Sequence, residues 1–230
     1  MERQRIEKSG SQDCRSVADA PAETARSIRM PAAERRSLLV QHAVDTFAKK
    51  GFHATSMEDV AIAAGVTKPV IYQHFTSKRQ LYIAILRHVG EEMKEAIGGK
   101  TDELVDQKTR LYRGVDAYCK YAYENHSAYE LLFGSGGRRD PEFREVVAEI
   151  EQEMADMVTS TIDVDLEEEH RSMAAVAIMG MSEATMRQYL TNYPPSKLSA
   201  GSSYQGSTAQ LWSKRLADLA WAGMRAIHRD

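Results

Sequence analysis

Cysteine is nearly absent from these 230 residues, and the two that occur, Cys14 and Cys119, do not have metal-ligand spacing. A disulfide framework and a thiolate zinc site are not expected, and the pattern suits a reducing compartment such as the cytoplasm. Long apolar runs are missing too. The longest, residues 173–181, is about half of what would cross a bilayer, and no apolar stretch follows the basic start, so neither a membrane span nor a leader is expected. There is no alternation of period two long enough for a sheet, and no internal repeat. Catalytic patterns are thin. No Ser/His/Asp or Cys/His arrangement is readable, and the glycines of residues 133–139 lack the Gly-Lys-Ser/Thr of a phosphate loop. Glu167 and His170 make one Glu-x-x-His where a di-iron bundle needs two. The reading is therefore no enzyme, no cofactor and no metal, with a helical-bundle enzyme or metal carrier as the alternative.

Positive charge is also short overall, at a net −3, but it is unevenly spread. Residues 1–28 balance. Residues 29–88 carry nine basic and four acidic side chains, and the remainder holds 16 basic against 24 acidic. A basic head on an acidic body is the asymmetry expected when one end alone meets phosphate, because the field that matters is local.

What is present is helix, with 43% hydrophobic residues in stripes of period near 3.6. The most informative stretch is residues 55–78. Thr55 or Ser56 caps a two-turn helix, with Glu58 and Asp59 placed to close a capping box, and Gly65 supplies a left-handed exit. Thr67 then caps a second helix with Pro69 in its first turn. Two short helices joined by a Gly-containing turn are the mark of a helix-turn-helix, whose second helix enters the major groove. Ile71 and Phe75 are spaced for the core, so Lys68, Pro69, Val70, Tyr72, Gln73 and His74 turn outward, a face able to serve phosphates and base edges. Two solvated helices of an ordinary all-α core remain the alternative. Lys78 starts the next helix, where its ammonium and the first N–H groups can clamp a phosphate.

The run over residues 39–82 resembles the N-terminal domain of TetR-family transcriptional regulators. The resemblance rests on Leu39, Ala43, Phe47, Gly51 and Phe52, on Thr55-Ser56, Val60-Ala61 and Ala64-Gly65-Val66, and on Tyr72-Gln73-His74-Phe75 with Ser77-Lys78 and Leu81. Val70, where many members carry Thr or Ser, and Met57 depart from the pattern. The resemblance implies an all-α fold of about nine helices. A disordered extension (1–30) precedes a helix-turn-helix domain (31–76) and a ligand-binding and dimerisation domain (77–230). It also implies DNA contacts from Thr55, Ser56, Thr67 and the outward residues above, with Lys78 on phosphate. The Lys68-Pro69-Val70 run and a helix rich in Ala, Met and Gly are similar to actinobacterial members that respond to fatty acids or acyl thioesters.

Beyond residue 99 the stripes define helices around residues 104–122, 127–133, 143–158, 173–190 and 211–227, with a mobile connector over 191–208. Candidate lining for an apolar or amphipathic effector is Tyr118, Tyr121, Tyr129, Leu132, Phe133, Val147, Ile150, Met154, Val176 and Met179, with Met suited to flexible apolar shapes. The last two helices carry Gly180, Met181, Ala184, Trp212, Leu216, Leu219, Ala220 and Gly223, small and large residues suited to a partner helix. In the family those helices form a four-helix homodimer interface. The expected protein is thus a homodimeric, ligand-responsive regulator on palindromic double-stranded DNA, read as a repressor. A transcriptional activator of the same family and a nonspecific architectural DNA binder stand as alternatives.

Overall fold

The computed structural model describes residues 31–98, 105–134, 140–162, 167–194 and 202–226. The expected N-terminal extension lies outside them. The chain from Ala32 onward forms one compact unit, and its described residues contain nine α-helices and no strand. They are α1 Ala32–Ala54, α2 Met57–Ala63, α3 Lys68–Tyr72, α4 Lys78–Gly98, α5 Gln107–Glu124, α6 His126–Phe133, α7 Pro141–Thr161, α8 Glu168–Asn192 and α9 Thr208–Ala226. None is long and apolar enough to cross a membrane.

Local chemistry sets most of the boundaries. Ser77 accepts from the Gln80 amide at 3.1 Å to start α4, Asp106 accepts from Thr109 to start α5, and Asp140 accepts from Glu142 with Pro141 following to start α7. Gly51, at φ 75° and ψ 167°, breaks α1 one turn before its end, a backbone conformation open to glycine alone. The turn after it brings Phe52 back onto Phe47, Tyr82 and Phe143, with ring centroids 4.8–6.3 Å apart.

That aromatic cluster joins α1, α4 and α7. From it α4 and α7 run parallel, tied by ion pairs at Arg79 with Asp140 and Glu142, Arg87 with Glu149, and Lys94 with Glu153. Gly90 lies in the middle of the seam, where an added Cβ would stand 2.7 Å from Ile150 Cγ2. Only a residue without a side chain lets the two helices approach so closely there. Helices α5 and α9 pack over the far side. Tyr112 donates to Asp218, and Tyr204 and Ser213 donate to Asp116 at 2.8 and 3.0 Å. Tyr204 is buried against Tyr123, so the end of the connector expected to be mobile is anchored at this point. Residues 195–201 lie outside the described residues.

Candidate nucleic-acid interface and interior cavity

The geometry of residues 50–78 is set almost wholly by hydrogen bonds to the main chain. Ser56 is the cap of α2. Its hydroxyl accepts from the Asp59 amide at 3.1 Å, and the Asp59 carboxylate accepts from the Ser56 amide at 2.8 Å, a closed capping box. Lys50 adds a 2.7 Å bond to the same carboxylate. The Lys50 ammonium first, then the Ser56 donors, hold the Asp59 carboxyl well below the usual carboxylate range. At the other end Val66 donates to the Ala61 carbonyl at 3.0 Å and Gly65 to that of Ile62 at 3.1 Å, with Gly65 at φ 65°. This is a complete Schellman stop, and it turns the chain sharply enough for α3 to begin at Lys68.

The second helix is short, and its orientation comes from burial. Ile71 and Phe75 are fully enclosed, while Lys68, Pro69, Gln73 and Tyr72, the last 46% exposed, face solvent, with Val70 and His74 half-buried beside them. Thr67 caps α3 through its backbone only, which leaves its exposed hydroxyl without a cap hydrogen bond. Of the ten residues expected at DNA, Ser56 is exposed at the start of α2, Thr67, Lys68, Pro69, Tyr72 and Gln73 are exposed on or beside α3, and Val70 and His74 are half-buried.

Two of the ten are placed otherwise. Thr55 is 1% exposed, and its hydroxyl donates to the Gly51 carbonyl at 2.8 Å, because the left-handed kink presents that carbonyl to it. Lys78 points away from solvent. Its ammonium donates to the carbonyls of Phe52, Thr55 and His53 at 2.8, 2.8 and 3.2 Å and lies 4.6 Å from the Phe52 ring centre. Three carbonyls left over by the end of α1 outweigh solvent for three N–H donors, so Lys78 is a clamp between α1 and α4. Sequence reasoning also did not place Arg36, whose guanidinium covers the Phe75 ring at 4.8 Å, although an Arg on α1 beside the reading pair was visible.

The interior cavity differs more from expectation. It lies between α4, α5, α7, α8 and α9, and is lined by Ile97, Gln107, Arg110, Leu111, Gly114, Val115, Tyr118, Met157, Val158, Thr161, Ile162, Ile178, Met179, Ser182 and Met224. Of the ten expected lining residues only Tyr118 and Met179 reach it. Tyr121, Tyr129, Leu132, Phe133, Val147, Ile150 and Met154 are buried among the helices instead. Tyr121 donates to Glu92 and Tyr129 to the Glu183 carbonyl at 3.2 Å each, and burial pushes the Tyr121 and Tyr129 hydroxyls well above the usual phenol range. Val176 is 53% exposed on α8, and with Phe133, Tyr118 and Met179 it borders an outer groove between α7 and α8, so Tyr118 and Met179 stand between the groove and the cavity. The cavity holds about 40 Å³ open to the centre of a water molecule, room for about three waters.

The last two helices show what they leave unpaired. Leu216 and Ala220 are buried within the chain, whereas Gly180, Ala184, Leu219 and Gly223 are exposed and Met181 and Trp212 half-buried. On α8, Ala174, Ala175 and Ile178 face inward while Met173, Val176, Ala177 and Gly180 face out, so the helix is apolar on both sides. Leu219, 63% exposed, continues the apolar surface on α9. Glu167 and His170 are exposed at the start of α8, and no group of three potential metal ligands occurs among the described residues.

Comparison with known proteins follows the same division of the chain. The family model "Bacterial regulatory proteins, tetR family" matches residues 39–85. The HTH-type transcriptional activator FasR of Mycolicibacterium smegmatis is 30% identical over 189 residues, spanning 81% of this chain and 85% of that one. The HTH-type transcriptional regulator RutR of Escherichia coli strain K12 is 41% identical over 66 residues, 29% of this chain and 31% of the relative. Among solved structures, FadR from Bacillus subtilis in complex with stearoyl-CoA superposes with a TM-score of 0.66 at 18% identity, covering 84% of this chain and 99% of that one. A TetR-like regulator from Rhodococcus sp. RHA1 gives 0.66 at 21% identity, covering 86% and 100%.

Proposed function

Since the chain belongs to the tetR family of bacterial regulatory proteins and is a helix-turn-helix transcriptional regulator, we propose that it binds a palindromic operator as a homodimer and is released from it by an apolar or amphipathic effector. The observation that carries the reading is the outward face of α3, where Lys68, Tyr72 and Gln73 stand exposed over buried Ile71 and Phe75. Gln73 suits adenine, Lys68 suits guanine, and Val70 suits a thymine methyl. The dimer follows from α8 and α9, since a helix apolar on both sides calls for a second partner. A second copy meets that need with two-fold symmetry matching a palindrome.

Effector class rests on the cavity walls, which are mostly Met and aliphatic side chains, and on the FadR structure that holds stearoyl-CoA. Loss of DNA on binding makes the protein a repressor. A second reading has its own support: the relative matched over 81% of this chain is an activator, so effector binding would strengthen DNA binding or recruit polymerase. Selection of bound sequences from random DNA, followed by operator titration with and without a long-chain acyl thioester, tests the proposal. Palindromic enrichment with effector-induced release supports it, and binding without sequence preference overturns it. In transcription from the selected operator, effector-dependent stimulation would favour the activator. Leu219→Glu should halve the mass in sedimentation and abolish operator binding, while a mass unchanged would remove α9 from the interface.

A further inference from the structure

The reading head carries two pairs of lysine and acid, and they are built differently. Lys50 closes to 2.7 Å on Asp59, a carboxylate that already accepts from the Ser56 amide, so that pair is consumed in the cap of α2. Glu58, one position earlier in the same first turn, stands outside the cap. Its carboxylate faces the ammonium of Lys68, the first residue of α3, at 3.7 Å, and the two side chains are 66% and 51% exposed. That separation is an ion pair without a hydrogen bond. The ammonium keeps its three donors and the carboxylate keeps its acceptor sites, side by side. They stand at the N-terminal end of α3, the end of a reading helix whose residues meet base edges. A carboxylate on this face is repelled by phosphate on every sequence alike, so the favourable contact open to it is a base donor.

We propose that Glu58 is a specificity-determining residue that accepts from cytosine, and that Glu58 and Lys68 together take one G·C pair in each half-site. This rests on the reading of α3 as the helix in the major groove and adds to it a residue of α2 and a base pair. In that groove guanine shows the acceptors N7 and O6, and cytosine shows its N4 amine beside them. O6 and N4 share a Watson–Crick hydrogen bond and so stand about 3 Å apart. The 3.7 Å between ammonium and carboxylate is close to that spacing. Lys68 donates to guanine, Glu58 accepts from cytosine, and the two charges stay together. Reversing the base pair sets the carboxylate against O6 and N7, and an A·T pair in the same orientation sets it against thymine O4. Discrimination thus comes from repulsion of the wrong pairs as well as attraction to the right one.

Competition binding of the full chain to the operator selected from random DNA, with every half-site position varied singly, tests the assignment. Wild type should prefer G·C at one position by about ten- to hundredfold over the other three pairs. N4-methylcytosine there, which puts a methyl on the amine Glu58 accepts from, should weaken wild type about tenfold, and 7-deazaguanine, which removes N7, should weaken it as well. Glu58→Ala should become indifferent to N4-methylcytosine within about two- to threefold and stay sensitive to 7-deazaguanine, whereas Lys68→Ala should lose the second sensitivity. Affinity of Glu58→Ala for random DNA should not fall, which shows the head intact. Wild type insensitive to N4-methylcytosine at every position, or Glu58→Ala keeping that sensitivity, overturns the proposal and leaves the sequence-specific regulator standing. A Glu58→Ala protein that loses only the 7-deazaguanine response would make Glu58 a support for Lys68 and also overturns it. Absence of any sequence preference in wild type overturns both readings.

Discussion

In the reading head, residues 32–76, shape comes from main-chain devices: a left-handed Gly51, a capping box at Ser56 and Asp59, and a Schellman stop at Gly65. In the body the shape comes from side chains meeting across long helices, as at Gly90 against Ile150, Tyr204 against Asp116, or Arg79 against the start of α7. The angles of the head are consequently set within a few residues of each device. The body can change its helix spacing without breaking a single helix, because its contacts are between elements. A regulator needs both properties, a surface that keeps its shape while reading and a core that yields to a guest.

The contrast is broken most severely at Lys78, which ties the head to the body with three hydrogen bonds. Lys78→Ala should cost about 3 kcal/mol of unfolding free energy in urea, because three carbonyls lose a charged donor. If stability holds and only the slope of log affinity against log salt falls by about one per contact, the ammonium instead moves to phosphate in the complex.

Gly90→Ala comes next, and it acts on the body alone. The new Cβ meets Ile150 at 2.7 Å, so overpacking should cost about 1–3 kcal/mol and spread α4 from α7. Adding Ile150→Val, which removes the Cδ1 methyl 3.1 Å from the new Cβ and keeps the Cγ2 methyl at 2.7 Å, should restore only a small part of that loss in the same melts. A neutral Gly90→Ala would show that the seam already has slack. Val70→Ser touches only reading. It should change discrimination at one base pair per half-site by about 1–3 kcal/mol, measured by competition between single-base operator variants, and leave affinity for random DNA unchanged.

The smallest effect is a titration in the head. Because Lys50 and Ser56 depress the Asp59 carboxyl, its contribution is complete above the ordinary carboxylate range and disappears as pH falls through the depressed one. Asp59→Asn should therefore flatten the acid limb of stability against pH and leave the neutral region nearly parallel to wild type. An unaltered acid limb would assign that limb to other carboxylates.

How far each region was legible follows from the range of its determinants. Ser56, Gly65, Ser77 and the Asp140-Pro141 pair act within a few positions of themselves, so helix starts and stops could be read directly from the chain. Lys78 could not, because its acceptors lie 23 to 26 positions away and a lysine at a helix start looks like an anion clamp. Thr55 failed for a related reason, its burial being a product of the Gly51 kink rather than of its own polarity. In the body, Ile150 and Tyr129 carry the same apolar signal as Met157 and Ile162, and only the three-dimensional meeting of α5, α7 and α8 decides which pair lines a cavity and which fills a seam. Leu216 and Leu219 sit three residues apart on α9 with opposite fates, one enclosed and one exposed, a difference invisible to a stripe.

The close approach at Gly90 gives α4 the mechanics of a lever. Ile97, on the cavity wall, is seven residues from that point, about 10 Å along the axis, while Lys78 is twelve residues away on the other side, about 18 Å. A rigid tilt about Gly90 thus moves the head end nearly twice as far as the cavity end, and in the opposite sense. On α7 the longer arm from Ile150 runs toward the cavity, so tilts about the one contact would move the ends of the two helices by different ratios. On the proposed release by an effector, a guest that pushed both outward would slide their head ends past each other at Arg79 and Phe143, beside the point where Lys78 holds the reading head.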